Sequence, residues 1–320
     1  MKTVTVSNGR HTLRMARIVV GDNGVSDPAR QKFAHWCFDR YLELGGNCFD
    51  TARIYGGGRS EAALGAYLAK KPRDSYLVST KCGHHDCGKP PLGRLSREEI
   101  LSDADQSLRA LGCGYADILF LHRDDIYKPV EEIMPVLHEL VTAGKARVLG
   151  ASNWTAGRIA AANEFAEKNG LTPFSVSQIL YNLGLTTAAQ TGDLTHVVMD
   201  GAEHSWYEEN RFPVMAWTST GKGFFAKTAV GLPMDPQADR YYGWLPENYR
   251  RAERAKALAE RLGVPVSAVA LSYVTSGPVP CAGVTAFSTE EQFTETMRAA
   301  ELTLTQAQRE YLEGKGECPV

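Results

Sequence analysis

Residues 47–65 read N-C-F-D-T-A-R-I-Y-G-G-G-R-S-E-A-A-L-G. Cys48-Phe49 is typical of a short buried strand, and this strand ends abruptly at Asp50. Tyr55 follows in a glycine-rich loop, and Ser60-Glu61 begins an apolar helix. The stretch is therefore predicted to form a strand, a loop and a helix. A carboxylate at the end of a strand and a phenol on the following loop are the kind of polar groups that build an active site.

The same alternation of strand and helix continues on both sides of this stretch. Strands are predicted over residues 18–21, 48–50, 76–80, 116–121, 147–151, 174–177, 213–216 and 279–283. Helices are predicted over residues 27–44, from 60, and over 96–111, 130–143, 155–169, 194–209, 250–262, 266–273 and 289–300. Such βαβ units are parallel, and eight of them close into an α/β fold, the (β/α)₈ TIM barrel. The alternative, a doubly wound open sheet, usually carries a glycine fingerprint after its first strand, which G-D-N-G-V at 21–25 lacks.

A β-hairpin is predicted before the barrel, because Asn8-Gly9 separates two short runs at 3–6 and 11–14. No linker, internal repeat or low-complexity segment interrupts residues 1–320, so we expect a single barrel domain. Residues 228–248 are polar and include Pro233 and Pro236, and we expect them to form one long loop.

The composition argues against several classes of partner. The net charge is −2 and no basic stripe is present, so we expect no nucleic-acid partner. No run of 18 apolar residues and no signal-peptide core occur, so we expect no membrane partner. The seven cysteines are odd in number and scattered, which is typical of reduced thiols. We therefore expect a soluble, cytoplasmic protein.

Polar and aromatic side chains follow the predicted strands. They are Asp50, Lys81, His122, Ser152-Asn153, Gln178 and Trp217, with Tyr55 just beyond the first. The active site of a (β/α)₈ barrel lies at this end of its strands. A Lys81 ammonium beside Tyr55 would lower the pKa of the phenol from about 10, so that Tyr55 would act as a general acid near neutral pH. Asp50 would keep Lys81 charged, and His122 would orient a carbonyl.

These residues, in this order, resemble the catalytic tetrad of the aldo-keto reductases: Asp50, Tyr55, Lys81 and His122. The segment G-N-C-F-D-T-A-R-I-Y-G-G-G-R-S-E-A-A-L-G at 46–65 is similar to the first signature of that family. S-T-K-C-G at 79–83 and L-F-L-H-R at 119–123 resemble the segments around its lysine and histidine. The resemblance covers nearly the whole chain and implies reduction of an aldehyde or ketone, or oxidation of the matching alcohol, with a nicotinamide cofactor.

Two further segments resemble the cofactor site of the family, G-A-S-N-W-T at 150–155 and M-A-W-T-S-T-G-K-G-F-F at 215–225. The resemblance implies that Ser152, Asn153 and Gln178 hold the nicotinamide carboxamide and that Trp217 stacks on the ring. The backbone that follows, with Thr218, Ser219, Gly221 and Gly223, is expected to cradle the pyrophosphate. Here Thr218-Ser219-Thr220 replaces the Ser-Pro-Leu that is frequent in the family.

The adenosine end departs further from the family pattern. Gln292, Glu295 and Thr296 fall around the expected adenine site, with Thr296 in place of the usual Asn, and Ala286 replaces the usual Gly. Ser288 stands where Arg or Lys often binds the 2′-phosphate, and we expect Arg240 to supply that contact instead. The resemblance therefore implies NADP(H) or NAD(H) as cofactor, with NADP(H) slightly favoured.

The substrate side is indicated only by residues that follow strand ends. His84, His85, Arg123 and Trp154 are expected at the rim, where they suit a sugar-like or other small polar carbonyl. Cys82, His84, His85 and Cys87 are metal-ligand types, but their spacing is too compressed for one tetrahedral ion, so no metal is expected. The expected partner is a small-molecule carbonyl or alcohol, and a homo-oligomer is left open.

Two other functions remain open from the sequence alone. A desolvated Lys81 would also suit a Schiff-base aldolase, which would need no nicotinamide. The barrel β subunits of potassium channels resemble the same family, so a cofactor-sensing regulatory subunit is the second alternative. Such subunits usually carry an additional N-terminal segment, whereas this chain begins almost directly at the hairpin.

Overall fold

Eight parallel strands form a closed barrel in the computed structural model, which describes residues 1–85 and 93–319. The hairpin strands are β1 (Thr3–Ser7) and β2 (Thr12–Ala16). The barrel strands are β3 (Ile18–Val20), β4 (Cys48–Asp50), β5 (Leu77–Cys82), β6 (Ala116–Leu121), β7 (Ala146–Ser152), β8 (Phe174–Gln178), β9 (Val214–Ala216) and β10 (Cys281–Thr285). The order is sequential, and β10 pairs with β3 to close the barrel. The predicted (β/α)₈ barrel with an N-terminal hairpin is confirmed.

The helices cover the outer face of the barrel or lie in its loops. They are α1 (Pro28–Glu43), α2 (Arg59–Leu68), α3 (Arg97–Leu111), α4 (Val130–Thr142), α5 (Ala156–Lys168), α6 (Ala188–Thr191), α7 (Gly201–Glu209), α8 (Phe224–Ala229), α9 (Pro236–Ala238), α10 (Pro246–Leu262), α11 (Val266–Thr275), α12 (Glu290–Met297) and α13 (Gln306–Leu312). Local capping fixes several starts: Ser96 and Glu99 form a reciprocal capping box at α3. Among the described residues no single helix could cross a membrane by length and apolarity, although α10 and α11, bent by 101°, pass that test as a pair.

The hairpin closes the amino-terminal end of the barrel. Its strands alternate exposed and buried residues, and Val6 and Met15 are fully buried. These side chains belong to the same apolar cluster as Val19, Ile118 and Phe120 of the barrel interior. The interior is therefore packed at this end, and polar groups gather at the other end.

Asp117 ties the strands together at the amino-terminal end. Its carboxylate is fully buried and accepts hydrogen bonds from the Val78 backbone N–H (2.9 Å) and from Arg73 Nη2 (2.7 Å). Arg147 Nη1 lies 3.0 Å from its other oxygen. These three donors compensate the buried carboxylate for its lost hydration, which would otherwise make its burial costly in free energy.

Two segments differ from the sequence-based prediction. The helix expected over 194–209 is helical only in α7, because Leu180 pairs with Val198 in an extended bridge and Asp200 caps the helix start. Residues 228–248 are not one long loop, since α9 and the start of α10 at Pro246 fall within them. Buried Tyr241 and Tyr242 pack this segment onto the core, which its polar composition concealed.

Candidate active site

The four predicted catalytic residues converge at the carboxyl end of the barrel. Asp50 ends β4, Lys81 lies near the end of β5, His122 follows β6, and Tyr55 lies on the loop after β4. Lys81 Nζ donates to Asp50 Oδ2 at 2.6 Å and to the Thr51 carbonyl at 2.8 Å. It lies 4.9 Å from the centroid of the Tyr55 ring, and the rings of Tyr55 and His122 are 5.7 Å apart. The phenol of Tyr55, the ammonium of Lys81 and the imidazole of His122 therefore lie close together at the mouth of the barrel.

The glycines after Tyr55 explain how a tight loop carries a catalytic side chain. Gly56, Gly57 and Gly58 have φ values of 58°, 65° and 86°. Three successive left-handed residues strongly favour glycine, because a Cβ is strained in this conformation. The chain turns within these residues and enters α2 immediately, so Tyr55 stays over the barrel mouth.

Asp50 is held so that it can pair with Lys81. Ser79 Oγ donates to Asp50 Oδ1 at 2.6 Å, and Gln178 Nε2 donates to the same oxygen at 3.1 Å. Burial alone would lower the pKa of Lys81, but the Asp50 carboxylate and the Tyr55 phenol raise it above its ordinary value. Lys81 is therefore an ammonium at neutral pH although it is fully buried.

The acid–base state of Tyr55 differs from the expectation. Burial raises the pKa of Tyr55 above its ordinary value, and the attraction of the Lys81 ammonium only partly offsets this rise. The expected lowering is thus not found, because the sequence does not report how deeply the phenol is buried. Burial and the positive charges of Lys81 and Arg123 hold the pKa of His122 well below its ordinary value. Tyr55 is protonated and His122 neutral at pH 7, so both can donate a hydrogen bond.

A cavity of about 420 Å³ opens above these residues. Its floor includes Asp50, Tyr55 and His122, and one wall carries the predicted nicotinamide contacts Ser152, Asn153, Gln178, Trp217 and Thr218. Asn153 has a φ of 57°, and its Nδ2 donates to Ser152 Oγ at 3.1 Å. Trp217 Nε1 is a buried polar atom with no hydrogen-bond partner among the residues that the structure describes. This wall therefore offers amide, hydroxyl and ring surfaces to a planar amide-bearing group.

A second cavity of about 350 Å³ adjoins the first. Both are lined by Thr220, Lys222 and Ala286, so together they form one elongated groove. The second cavity also contains the predicted adenosine-side residues Ser288, Gln292, Glu295 and Thr296. The groove has the polar lining that a dinucleotide needs along both of its halves.

The junction of the two cavities suits a pyrophosphate. Gly221, Lys222 and Gly223 all have positive φ, at 61°, 54° and 78°. The Gly221 N–H donates to the Thr218 carbonyl at 2.7 Å and the Gly223 N–H to the Thr220 carbonyl at 3.3 Å, so these two N–H groups are occupied within the turn. The Lys222 side chain lines both cavities and is the group that offers a positive charge to a pyrophosphate here. Ser219 does not contribute its side chain, because it is fully buried and its Oγ donates to the Val284 carbonyl at 2.8 Å.

Comparisons with known proteins agree with this geometry. The model of the aldo/keto reductase family matches residues 17–317. The chain belongs to the aldo/keto reductase family. The resemblance seen in the sequence is thereby confirmed, and the protein is a carbonyl oxidoreductase. Members of this family generally use NAD(P)H.

Several curated aldo/keto reductases and related proteins are similar to this chain. It is 31% identical over 255 residues to aryl-alcohol dehydrogenase GME11368 of Pestalotiopsis microspora, covering 76% of this chain and 62% of that protein. It is 28% identical over 353 residues to aldo-keto reductase AMT2 of Alternaria alternata, covering 95% and 89%. It is also 28% identical over 278 residues to a putative voltage-gated potassium channel subunit beta of Schizosaccharomyces pombe, covering 83% and 78%.

Arg240 lies elsewhere than expected for an aldo/keto reductase phosphate contact. Its Nη2 donates to the Thr191 carbonyl at 2.8 Å, and its guanidinium lies 5.6 Å from the Tyr241 ring centroid. It lines neither cavity, whereas Lys222 and Lys227 both line the second one. The cations that face the adenosine side are therefore lysines of the segment after β9, not the arginine of the later loop.

Trp154 also departs from its expected place at the rim. It is fully buried, and its ring centroid lies 5.3 Å from that of Phe174 in the core beneath α5. A side chain packed into this core does not reach the cavity, so Trp154 is unsuited to contact substrate. The sequence could not reveal this, because the residue after Asn153 enters the core only when α5 packs on the barrel.

Of the other three residues predicted at the rim, two line the cavity and one does not. His84 and Arg123 line the cavity, and the His84 ring lies 4.6 Å from that of His122. His85 does not line it, but its carbonyl lies 2.8 Å from His84 Nδ1. Because a carbonyl only accepts, His84 Nδ1 carries the proton and Nε2 is an acceptor. Cys87, which was considered for a zinc site, lies outside the residues that the structure describes. Among the described residues, no group of three or more His, Cys, Asp or Glu side chains could hold a metal ion.

His196 and Asp193 are site residues that the sequence analysis missed. Arg123 Nη2 lies 3.1 Å from Asp193 Oδ2 and donates to His196 Nε2 at 2.9 Å. The His196 ring lies 4.8 Å from Trp217, so this cluster backs the expected nicotinamide platform. Burial lowers the pKa of His196 to about 4, which keeps the ring neutral. The helix predicted over 194–209 hid His196, and the capping residue Asp200 was the signal that the helix begins later.

Proposed function

We propose that the protein reduces a small, hydroxylated aldehyde or ketone to the alcohol with NADPH or NADH, or catalyses the reverse oxidation. The observation that carries this proposal is the protonated Tyr55 phenol between the buried Lys81–Asp50 pair and the neutral His122, in the first of two adjoining polar cavities. When bound, the nicotinamide supplies the hydride. NADPH is slightly favoured over NADH.

The protein's own groups then have separate tasks. Tyr55 donates a proton to the carbonyl oxygen, and the adjacent Lys81 ammonium stabilises the phenolate that this leaves. Neutral His122 donates a hydrogen bond that orients the carbonyl. Asp50 keeps Lys81 protonated, and Ser152, Asn153 and Gln178 would hold the carboxamide of the nicotinamide.

The polar lining of the cavity supports a hydroxylated substrate. His84 offers a free acceptor at Nε2, and Tyr55 and His122 offer donors. Arg123 is already paired with Asp193, so the cavity carries no uncompensated guanidinium that would demand an acidic substrate. A hydroxyl next to the carbonyl would donate to His84 Nε2, whereas a hydrocarbon would place no donor beside this partly buried acceptor.

A panel of carbonyls tests this proposal. We expect kcat/KM for glycolaldehyde and glyceraldehyde to exceed that for propanal by about tenfold, the value of one hydrogen bond of about 1.4 kcal/mol. Benzaldehyde is the aromatic comparison, chosen because two of the similar proteins are named for aryl alcohols. A preference for benzaldehyde or propanal would contradict the substrate class. No reduction of any carbonyl with either cofactor would contradict the reaction.

The Schiff-base alternative is disfavoured by the state of Lys81. A nucleophilic amine must be unprotonated. Here Nζ is fully buried, donates to Asp50 and to a carbonyl, and has a raised pKa. The regulatory-subunit alternative shares the nucleotide groove, and turnover in the panel separates it from an enzyme.

Replacing Trp217 with Ala is expected to weaken cofactor binding by about 1 kcal/mol, or roughly fivefold in Kd, because an aromatic stack is lost. Calorimetric titration is the suitable measurement, since removing a Trp disturbs fluorescence quenching. Trp36→Ala is the control, because Trp36 lies on α1 outside both cavities. An unchanged Kd in Trp217→Ala would place the stacking role on another residue.

Replacing Lys227 with Met is expected to lower the NADPH-to-NADH ratio of kcat/KM by about tenfold, because a charge-assisted contact to the 2′-phosphate is lost. Arg240→Met is the matched control and is expected to leave the ratio unchanged. The parent preference is expected to stay below about 1,000-fold, near 4 kcal/mol, because Asp235 and Glu295 line the same cavity as the lysines. If the NADPH-to-NADH ratio changed in Arg240→Met and not in Lys227→Met, the contact to the 2′-phosphate would belong to Arg240, as the sequence predicted.

A further inference from the structure

A buried carboxylate on α3 connects the two loops that carry Tyr55 and His84. Asp103 is fully buried, and its Oδ1 lies 3.0 Å from Arg53 Nε in an ion pair. Its Oδ2 accepts a hydrogen bond of 3.0 Å from the backbone N–H of Gly83. Arg53 is two residues before Tyr55, and Gly83 is directly before His84. One carboxylate therefore contacts both loops at their bases.

Arg53 and Gly83 each make a further contact besides the one to Asp103 or to its neighbours. Arg94 Nη1 lies 3.3 Å from the same Asp103 Oδ1, and the Arg94 N–H donates to the Gly83 carbonyl at 3.2 Å. The Arg53 N–H donates to the Lys81 carbonyl at 3.3 Å. The base of the Tyr55 loop is thus fixed to α3 on one side and to the end of β5 on the other, and Gly83 is held by Asp103 of α3 and by the Arg94 backbone before α3.

We propose that Asp103 is a positioning residue that sets the separation of Tyr55 and His84 across the cavity. It lines neither cavity and so touches neither substrate nor cofactor. Its effect on the reaction passes through Arg53 to the Tyr55 loop and through Gly83 to the His84 loop. The catalytic part of this inference rests on the proposed function; the mechanical part, the ordering of the two loops, does not.

Asp117 provides a matched control within the same chain. It is equally buried and also binds two arginines and one backbone N–H, but it lies at the amino-terminal end of the barrel. Replacing either carboxylate removes a buried charge with the same kinds of partner. Loss of stability alone would therefore affect both variants alike, whereas loss of positioning would affect only Asp103.

The kinetic experiment compares Asp103→Asn, Arg53→Met and Asp117→Asn with the parent in the reduction of glyceraldehyde. We expect kcat to fall about 10²-fold in Asp103→Asn, the effect of a misplacement of about 1 Å, and about tenfold in Arg53→Met. Cofactor Kd from calorimetry and kcat of Asp117→Asn should stay within twofold of the parent. Arg53→Lys, which keeps the cation, should recover part of the loss. Equal losses in Asp103→Asn and Asp117→Asn, or parent rates in Arg53→Met, would overturn the proposal.

The second measurement does not depend on activity. Amide hydrogen exchange is expected to rise at least tenfold over residues 51–58 and at 83–85 in Asp103→Asn, and only over 51–58 in Arg53→Met. Arg53 is partly exposed, so its variant is expected to fold even if Asp103→Asn does not. Unchanged exchange over 51–58 in Arg53→Met would overturn the mechanical part whatever the enzyme catalyses. Increased exchange in a protein that reduces no carbonyl would uphold that part while the proposed function fails.

Discussion

Replacing Tyr55 with Phe is expected to lower kcat for carbonyl reduction by roughly 10²–10⁴, the usual contribution of a general acid. The phenol is the protonated group beside the Lys81 ammonium, and Phe retains the ring without the proton. Cofactor binding should stay within twofold of the parent, because the expected nucleotide contacts lie on the Trp217 wall and in the adjoining cavity. Steady-state kcat and calorimetric Kd are the two measurements.

Tyr181→Phe is the control for this variant. Tyr181 is also a buried tyrosine, but it lies outside the active-site cavity, and its hydroxyl accepts a long 3.5 Å hydrogen bond from Arg309. We expect its kcat to equal that of the parent. A Tyr55→Phe enzyme that reduces carbonyls at the parent rate, or a Tyr181→Phe enzyme that is equally slow, would remove Tyr55 from the role of proton donor.

Replacing Lys81 with Met is expected to reduce both activity and stability. The change removes the charge that stabilises the Tyr55 phenolate, and it leaves the buried Asp50 carboxylate without its cation. Breaking one partner of a buried pair typically costs about 3–5 kcal/mol in the free energy of unfolding. Urea unfolding measures this loss, and kcat should fall by a factor comparable to that of Tyr55→Phe.

The double variant Asp50→Asn with Lys81→Met separates the two effects. Removing both charges should recover much of the lost stability, since a buried pair replaced by neutral groups is often nearly neutral in free energy. Activity should not recover, because the ammonium beside Tyr55 is still absent. If the Lys81→Met protein is as stable as the parent, or if the double variant regains the parent kcat, the proposed role of the pair is wrong.

The sequence predicted the parts of this molecule that depend on local patterns. Strand and helix alternate with distinct apolar periods, and Asp50, Lys81 and His122 stand at strand ends, so the topology alone brings them together. It did not predict the raised pKa of Tyr55, because burial depends on how the loop packs over the barrel mouth.

Residues whose placement depends on contacts distant in sequence were predicted less well. Trp154 and Arg240 lie in loops after strands, as residues that line the cavity do. Tertiary packing nevertheless buries Trp154 in the core and pairs Arg240 with the Thr191 carbonyl. His196 reaches the cavity only because residues 192–200 are not helical, and the local sign of this, the helix-capping residue Asp200, was not used in the prediction. The single domain, the cytoplasmic location, the absence of nucleic-acid and membrane partners and the oligomeric state stay predictions.

Transfer of an isotopic label tests the central claim most directly. The protein is incubated with a small hydroxyaldehyde and NADPH that carries deuterium at the transferable position of the nicotinamide ring, and the alcohol is analysed by mass spectrometry. We expect one deuterium in each product molecule, on the former carbonyl carbon, for each cofactor oxidised. Unlabelled product, or aldehyde consumption without cofactor together with borohydride trapping on Lys81, would contradict hydride transfer at this site.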